Sequence, residues 1–255
     1  MRWPLVDLAL FRNRPFVVGC LSFFLFSAAL FGSQPYWSLF MQNTWGFSPL
    51  QGGLGFLPAT GLIVILTPLS GIIAQWIKTR LDVLLICGLV LNGLSFLYVV
   101  ITMNTQRTYV DGLLPVFLTR GLAIPIVSSC ITLVVMSAVS TKQSGLASGT
   151  LGMARNIGTA FGVALLSQVY LFHINTTIPA SLIAGRAAAD QFIVSGKGAS
   201  HLIIEEIVFQ GFKMTTLACS ILCAVAVILI FFMRTRVRTK EIVTTVQERE
   251  EEVAV

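Results

Sequence analysis

Charge is what this sequence has least of. Only 11% of its 255 residues are Asp, Glu, Lys or Arg, against 55% that are hydrophobic. A soluble domain needs a wettable surface, and this chain has too few charges to supply one. Acids are scarcer still inside the apolar runs. Asp7, Asp82, Asp111, Asp190, Glu205 and Glu206 stand at run edges or in loops, and the rest lie in the C-terminal tail.

The side-chain sets that carry most catalysis are also missing. Cys20, Cys87, Cys130, Cys219 and Cys223 form no CxxC pair, and no histidine stands near any of them. Cys219 and Cys223 share a helix face, yet two thiols alone make a poor metal site, so all five read as small buried hydrophobes. No Ser/His/Asp set is visible, and no glycine loop follows a strand to cradle a phosphate. The sequence implies no enzyme, cofactor or metal. The net charge of +6 is spread over short loops, which fits anionic lipid head groups rather than nucleic acid. Met1-Arg2-Trp3-Pro4 is no signal-peptide opening, and the first apolar run is too long for one, so it is expected to remain in the mature protein.

What the sequence does have is length of apolar run. Crossing about 30 Å of hydrocarbon takes about 20 mostly apolar residues. Six segments qualify: Phe16–Met41, Leu54–Ile73, Leu84–Ile101, Leu113–Ser137, Leu146–Phe172 and Phe212–Met233. None shows the short alternating pattern of a membrane barrel. The predicted fold class is an all-α integral membrane protein. Its expected organisation is a segment 1–14, a six-helix membrane domain 15–233 with a long loop 173–210, and a charged tail 234–255.

Positive charges set the topology. Arg2, Arg12, Arg14, Lys78, Arg80, Lys142 and the basic residues after Met233 gather on one side, while the other has only Arg107, Arg186, Lys197 and Lys213. The positive-inside rule puts both termini in the cytoplasm of a multi-pass protein of the cell membrane. The loop 173–210 is expected to be part helical around Ala187–Ala189 and Ile203–Val208. His173 and His201 read as solvated loop residues. Asn175-Thr176-Thr177 matches a glycosylation triplet, which arises often by chance.

Two arginines stand out. Arg120 and Arg155 each lie about two turns inside a helix, where a cation costs at least about 2.5–3.5 kcal/mol on insertion scales. Each either bonds backbone carbonyls and fixes packing, or lines a substrate path, with Asn156 beside Arg155. Gln34, Tyr36 and Trp37 surround the Pro35 break and offer stacking or cation–π contact to a substrate, or an interfacial aromatic belt. Asp111, at the mouth of the fourth helix, is the carboxylate nearest to a span. In the glycine-dense fifth helix, where Gly152 is also expected to serve packing, Gly145/Gly149 and Gly158/Gly162 are small residues four apart that line one face, which favours close backbone approach to a neighbour.

Several stretches resemble a known family. Leu5-Val-Asp7-Leu8-Ala-Leu10-Phe11-Arg12-Asn13-Arg14-Pro-Phe16 is similar to the lead-in to the last six helices of fourteen-helix drug:proton antiporters of the major facilitator superfamily. Gly46-Phe47-Ser48-Pro49-Leu50-Gln51-Gly52-Gly53-Leu54, then Leu57-Pro58, resembles their next loop and helix. Arg120-Gly121-Leu122, the Gly145–Gly162 run and Phe209-Gln210-Gly211-Phe212 resemble later parts. Two departures stand against these. Gln75 and Trp76 replace the acidic and basic pair of the family's loop signature, and no helix bearing a coupling carboxylate is present.

The resemblance implies one six-helix half of a transporter, with the binding site between halves. It also implies an N-terminal half as partner, a small amphipathic or cationic substrate, and protons as coupling ion. The alternative is a membrane protein that does not transport, either a gene remnant or a partner of another transporter.

Overall fold

The computed structural model describes residues 12–76, 81–103, 108–140, 143–177 and 209–232. Within these the chain is helical throughout its ordered elements. The helices are α1 (Arg14–Gly32), α2 (Gln34–Trp45), α3 (Pro49–Leu54), α4 (Leu57–Trp76), α5 (Leu81–Thr102), α6 (Tyr109–Gly112), α7 (Leu114–Ser137) and α8 (Ser144–Thr177), with α9 over Phe209–Phe232.

Five helical stretches among the described residues are long and apolar enough to cross a membrane: Arg14–Gln42, Pro49–Ala74, Leu81–Thr102, Leu114–Ser137 and Phe209–Phe232. They match five of the six expected spans. The sixth expectation, Leu146–Phe172, is a continuous helix of 34 residues as α8. Its glycines, Arg155 and Asn156 dilute its apolar character, so composition alone does not mark it as a span.

Breaks and caps follow the local sequence. Pro35 lacks a backbone donor and its ring crowds the turn before it, and the chain bends at Ser33, between α1 and α2. Ser33 Oγ donates to the Leu30 carbonyl at 3.0 Å and accepts from Trp37 Nε1 at 3.2 Å, so the bend leaves its hydroxyl satisfied. Gly46 closes α2 with φ of 65°, a left-handed geometry that favours glycine. Ser48 then opens α3 with a full capping box. Its hydroxyl accepts from Gln51 N at 3.2 Å, while Gln51 Oε1 accepts from Ser48 N at 2.9 Å.

The helices pack in two layers. α4 lies on α7, α7 on α1, and α1 on α8, giving a row of four. α5 packs behind α7. α9 joins it there, its Ser220 Oγ donating to the Gly93 carbonyl at 3.2 Å. One core cluster gathers Trp37, Phe40, Phe96, Phe117, Phe209 and Phe212 between the layers. A second holds Phe16, Phe26, Leu85, Leu89, Ile131 and Ile230 nearer the N-terminal end of α1.

Two expectations need correction. The long loop does not begin at 173: α8 runs on to Thr177, and Phe209 and Gln210 already belong to α9. His173 is therefore a half-buried helix residue, not a solvated loop one, and its Nε2 is buried without a hydrogen-bond partner among the described residues. The expected helical patches around Ala187–Ala189 and Ile203–Val208, His201, the segment 1–11, the loop cations Lys78, Arg80, Arg107 and Lys142, and the tail 234–255 lie outside the described residues.

Candidate functional site

Arg120 is only 3% exposed, and everything around it belongs to this one bundle. Its guanidinium carbon lies 5.0 Å from the centre of the Trp37 ring and 4.9 Å from that of Phe96. One guanidinium nitrogen donates to the Leu30 carbonyl at 3.4 Å. Trp37 in turn meets Phe117 at 5.6 Å and Phe212 edge-on at 5.2 Å between ring centres. Rings from α2 and α5 thus hold the cation by their negative faces, and no acidic side chain among the described residues lies inside the bundle at that level. The contacts of Arg120 point between the two layers.

Trp37, expected near a substrate or in an interfacial belt, is fully buried. Its ring lies inside the bundle, with Nε1 donating to Ser33 Oγ. Tyr36 is also buried; its hydroxyl donates to Ser167 Oγ at 2.7 Å, and its ring lies 5.3 Å from that of Tyr170. Gln34 alone of the three is exposed. Asp111 is exposed on α6 and accepts from Thr108 Oγ1 at 2.9 Å.

The glycines of α8 divide into two sets. Gly158 and Gly162 meet the backbone of α1: a Cβ on Gly158 would strike the Phe24 carbonyl, and one on Gly162 would strike that of Ala28. Gly32 of α1 reciprocates, since its Cβ would fall 2.6 Å from the Gly162 carbonyl carbon. At Gly145, Gly149 and Gly152, however, a Cβ would meet nothing within 4 Å. Among the described residues nothing meets these three, which lie on a different side of α8 from Gly158 and Gly162. Arg155 and Asn156 are exposed as well.

Some polar groups that matter were not singled out from the sequence. Ser70 Oγ in α4 lies 3.2 Å from the Pro125 carbonyl and 2.8 Å from Ser129 Oγ in α7. Gly121, next to Arg120, lets α4 close on α7, for a Cβ there would sit 2.8 Å from that of Leu62. Asn92 donates to the Cys223 sulfur at 3.5 Å, level with the arginine cage. An isolated serine or asparagine in an apolar run leaves little trace of its partner. Near the C-terminal end of α8 an open groove of about 560 Å³ is lined by apolar residues with Gln168, His173 and Thr176.

The described residues thus form a kinked helical bundle with its cation caged inside and a polar, glycine-bearing helix at one side. Residues 4–163 match the family described as Major Facilitator Superfamily. The chain belongs to that superfamily. This major-facilitator chain is 28% identical over 176 residues to the Multidrug resistance protein Stp of Mycobacterium tuberculosis (strain CDC 1551 / Oshkosh), which covers 69% of this chain and 32% of the relative. It is 28% identical over 177 residues to the Tetracenomycin C resistance and export protein of Streptomyces glaucescens, with 69% and 32% covered. The Multidrug export protein EmrB of Haemophilus influenzae is 26% identical over 220 residues, covering 82% of this chain and 42% of that protein. The major-facilitator chain thus spans about a third to two fifths of the length of these relatives.

Proposed function

We propose that this chain works as the C-terminal half of a proton-coupled exporter of small amphipathic or cationic compounds. The observation that carries this reading is its similarity to resistance and export proteins of which it spans only part. In the superfamily the substrate site lies between two six-helix halves, near the middle of the membrane. The open side of α8, with Arg155 and Asn156 on it, would form one wall of that site, and Gln34 would border it. Arg120, caged within the bundle, would hold the wall in shape. The coupling carboxylate and the rest of the cavity would come from an N-terminal half, on the same chain or another. Both termini would face the cytoplasm, as the loop charges ask.

The test is efflux. Cells expressing this chain together with an N-terminal half should clear ethidium faster than cells expressing either piece alone, and a protonophore should abolish the difference. Equal dye retention in all of these strains, with the proteins present in the membrane, would sink the transport reading in favour of a non-transporting partner protein.

A further inference from the structure

Two thiols lie on the inner face of α9, one turn apart. Cys219 and Cys223 are both buried, and both belong to the aromatic cluster around Trp37 and Phe96. In the sequence they are two sulfurs and nothing more. The fold adds what surrounds them.

Three side chains reach these sulfurs with a donor or a charge. Asn92 Nδ2 donates to the Cys223 sulfur at 3.5 Å. The amide could have turned its oxygen there to take a thiol proton; instead Oδ1 is buried without a hydrogen-bond partner among the described residues. The Ser33 hydroxyl, which also bonds the Leu30 carbonyl, stands within hydrogen-bond reach of Cys219. The Arg120 charge acts on both sulfurs. Donors and a cation around a sulfur favour the thiolate, the form that binds metal.

The charge count points the same way. Arg120 has two aromatic faces and one carbonyl, but no acid among the described residues lies inside the bundle at its level. A buried charge is best tolerated when paired. With two neutral thiols beside it, the guanidinium leaves the site with its full positive charge. A monovalent metal ion would displace both thiol protons to solvent and form a bis-thiolate with one negative charge, which the guanidinium cancels. A divalent ion on the same two sulfurs would leave the positive charge in place.

Ligand number selects the ion as well. No third Cys, His, Asp or Glu stands with the pair among the described residues, so these side chains do not build the four-ligand shell of structural zinc. Thiolates suit Cu(I), which is satisfied by two of them in line. Two metal–sulfur bonds of about 2.3 Å span about 4.6 Å, which fits sulfurs borne on Cβ atoms about 5–6 Å apart at i and i+4.

We infer that Cys219 and Cys223 form a two-sulfur site for a soft monovalent metal ion of the Cu(I) class, with Arg120 as its counter-charge and Asn92 steadying one thiolate. This site stands apart from the half-transporter reading and does not depend on it.

The test uses the full chain, purified in mild detergent under reducing conditions and given Cu(I) under nitrogen with a competing chelator. The chain should hold one Cu(I) against the chelator, and X-ray absorption should count two sulfur neighbours and no third. A chain with Cys20, Cys87 and Cys130 replaced by serine should bind equally well. Adding Cys219→Ser or Cys223→Ser should abolish binding. Arg120→Met should weaken it about 10–100-fold, the usual scale for a group that supports a metal ligand, while Arg120→Lys keeps most of it. Where a serine variant fails to fold, the unmutated chain decides. Loaded with Ag(I) and unfolded briefly in maleimide, it should label Cys219 and Cys223 more slowly than Cys20 and Cys130. Cu(I) lost to the chelator, a third sulfur at the metal, binding that survives loss of both thiols, or an Arg120→Met chain that binds as tightly as its parent would each overturn the site, as would equal labelling of all four buried thiols.

Discussion

Trp37 and Arg120 share one face-on contact, the guanidinium carbon 5.0 Å from the ring centre, with Phe96 closing the other side at 4.9 Å. A cation is thereby kept inside a membrane bundle by aromatic faces and one carbonyl. Such a cage sets cation–π attraction from two rings and one hydrogen bond against the cost of desolvating the cation.

Arg120→Met is accordingly expected to change unfolding stability in detergent by no more than about 1 kcal/mol, because an apolar chain of similar volume suits an aromatic pocket. Trp37→Ala with Arg120 kept should cost about 3–5 kcal/mol, through the lost ring and the stranded cation. Denaturant titration followed by tryptophan fluorescence or helicity measures both. A collapse of the Arg120→Met bundle would mean that the charge itself holds the fold.

The glycines of α8 offer a matched pair of substitutions. Gly162→Ala drives a methyl into the Ala28 backbone, which has no rotamer to yield with, and should cost about 1–3 kcal/mol. Gly149→Ala meets nothing within 4 Å and should be neutral, or gain up to about 1 kcal/mol from helix propensity. Equal losses at the two positions would contradict the one-sided packing of this helix.

This division of the glycines marks how far the sequence could be read. The spacing of Gly145, Gly149, Gly158 and Gly162 announces a helix made for close approach, but spacing is blind to which part of the helix has a neighbour. The helices of the bundle were legible because membrane spans are long and apolar. The Ser33 bend could be approached from Pro35. What Trp37 touches could not, since turning inward depends on where α5, α7 and α9 stand. Ser70 was silent for the same reason: a lone hydroxyl declares nothing until another helix meets it.

Ser70→Ala should loosen the contact between α4 and α7 by about 0.5–1.5 kcal/mol, the ordinary range for one hydroxyl between membrane helices. Ser129→Ala in the same background should add little, because the two hydroxyls lie 2.8 Å apart and act together. Full additivity, read from the same denaturant titrations, would show that they act separately.

Thiol chemistry gives a direct check on the layering. Cys87 is exposed, while Cys20, Cys130, Cys219 and Cys223 are buried. A maleimide in mild detergent should label Cys87 alone, and the other four only after denaturation. Rapid labelling of Cys219 or Cys223 in the folded protein would place α9 elsewhere.

The joint between α1 and α8 also says something about how the protein must be made. Gly158 meets Phe24 and Gly162 meets Ala28, so each contact links positions 134 apart in the chain. At about 5–20 residues per second, a ribosome takes about 7–27 s to deliver α8 after the first helix has emerged. During that wait the bare backbone groove at Phe24, Ala28 and Gly32 lies open to whatever helix passes. An insertion partner that shields this groove until the fifth span arrives would decide how much of the chain reaches its native pairing.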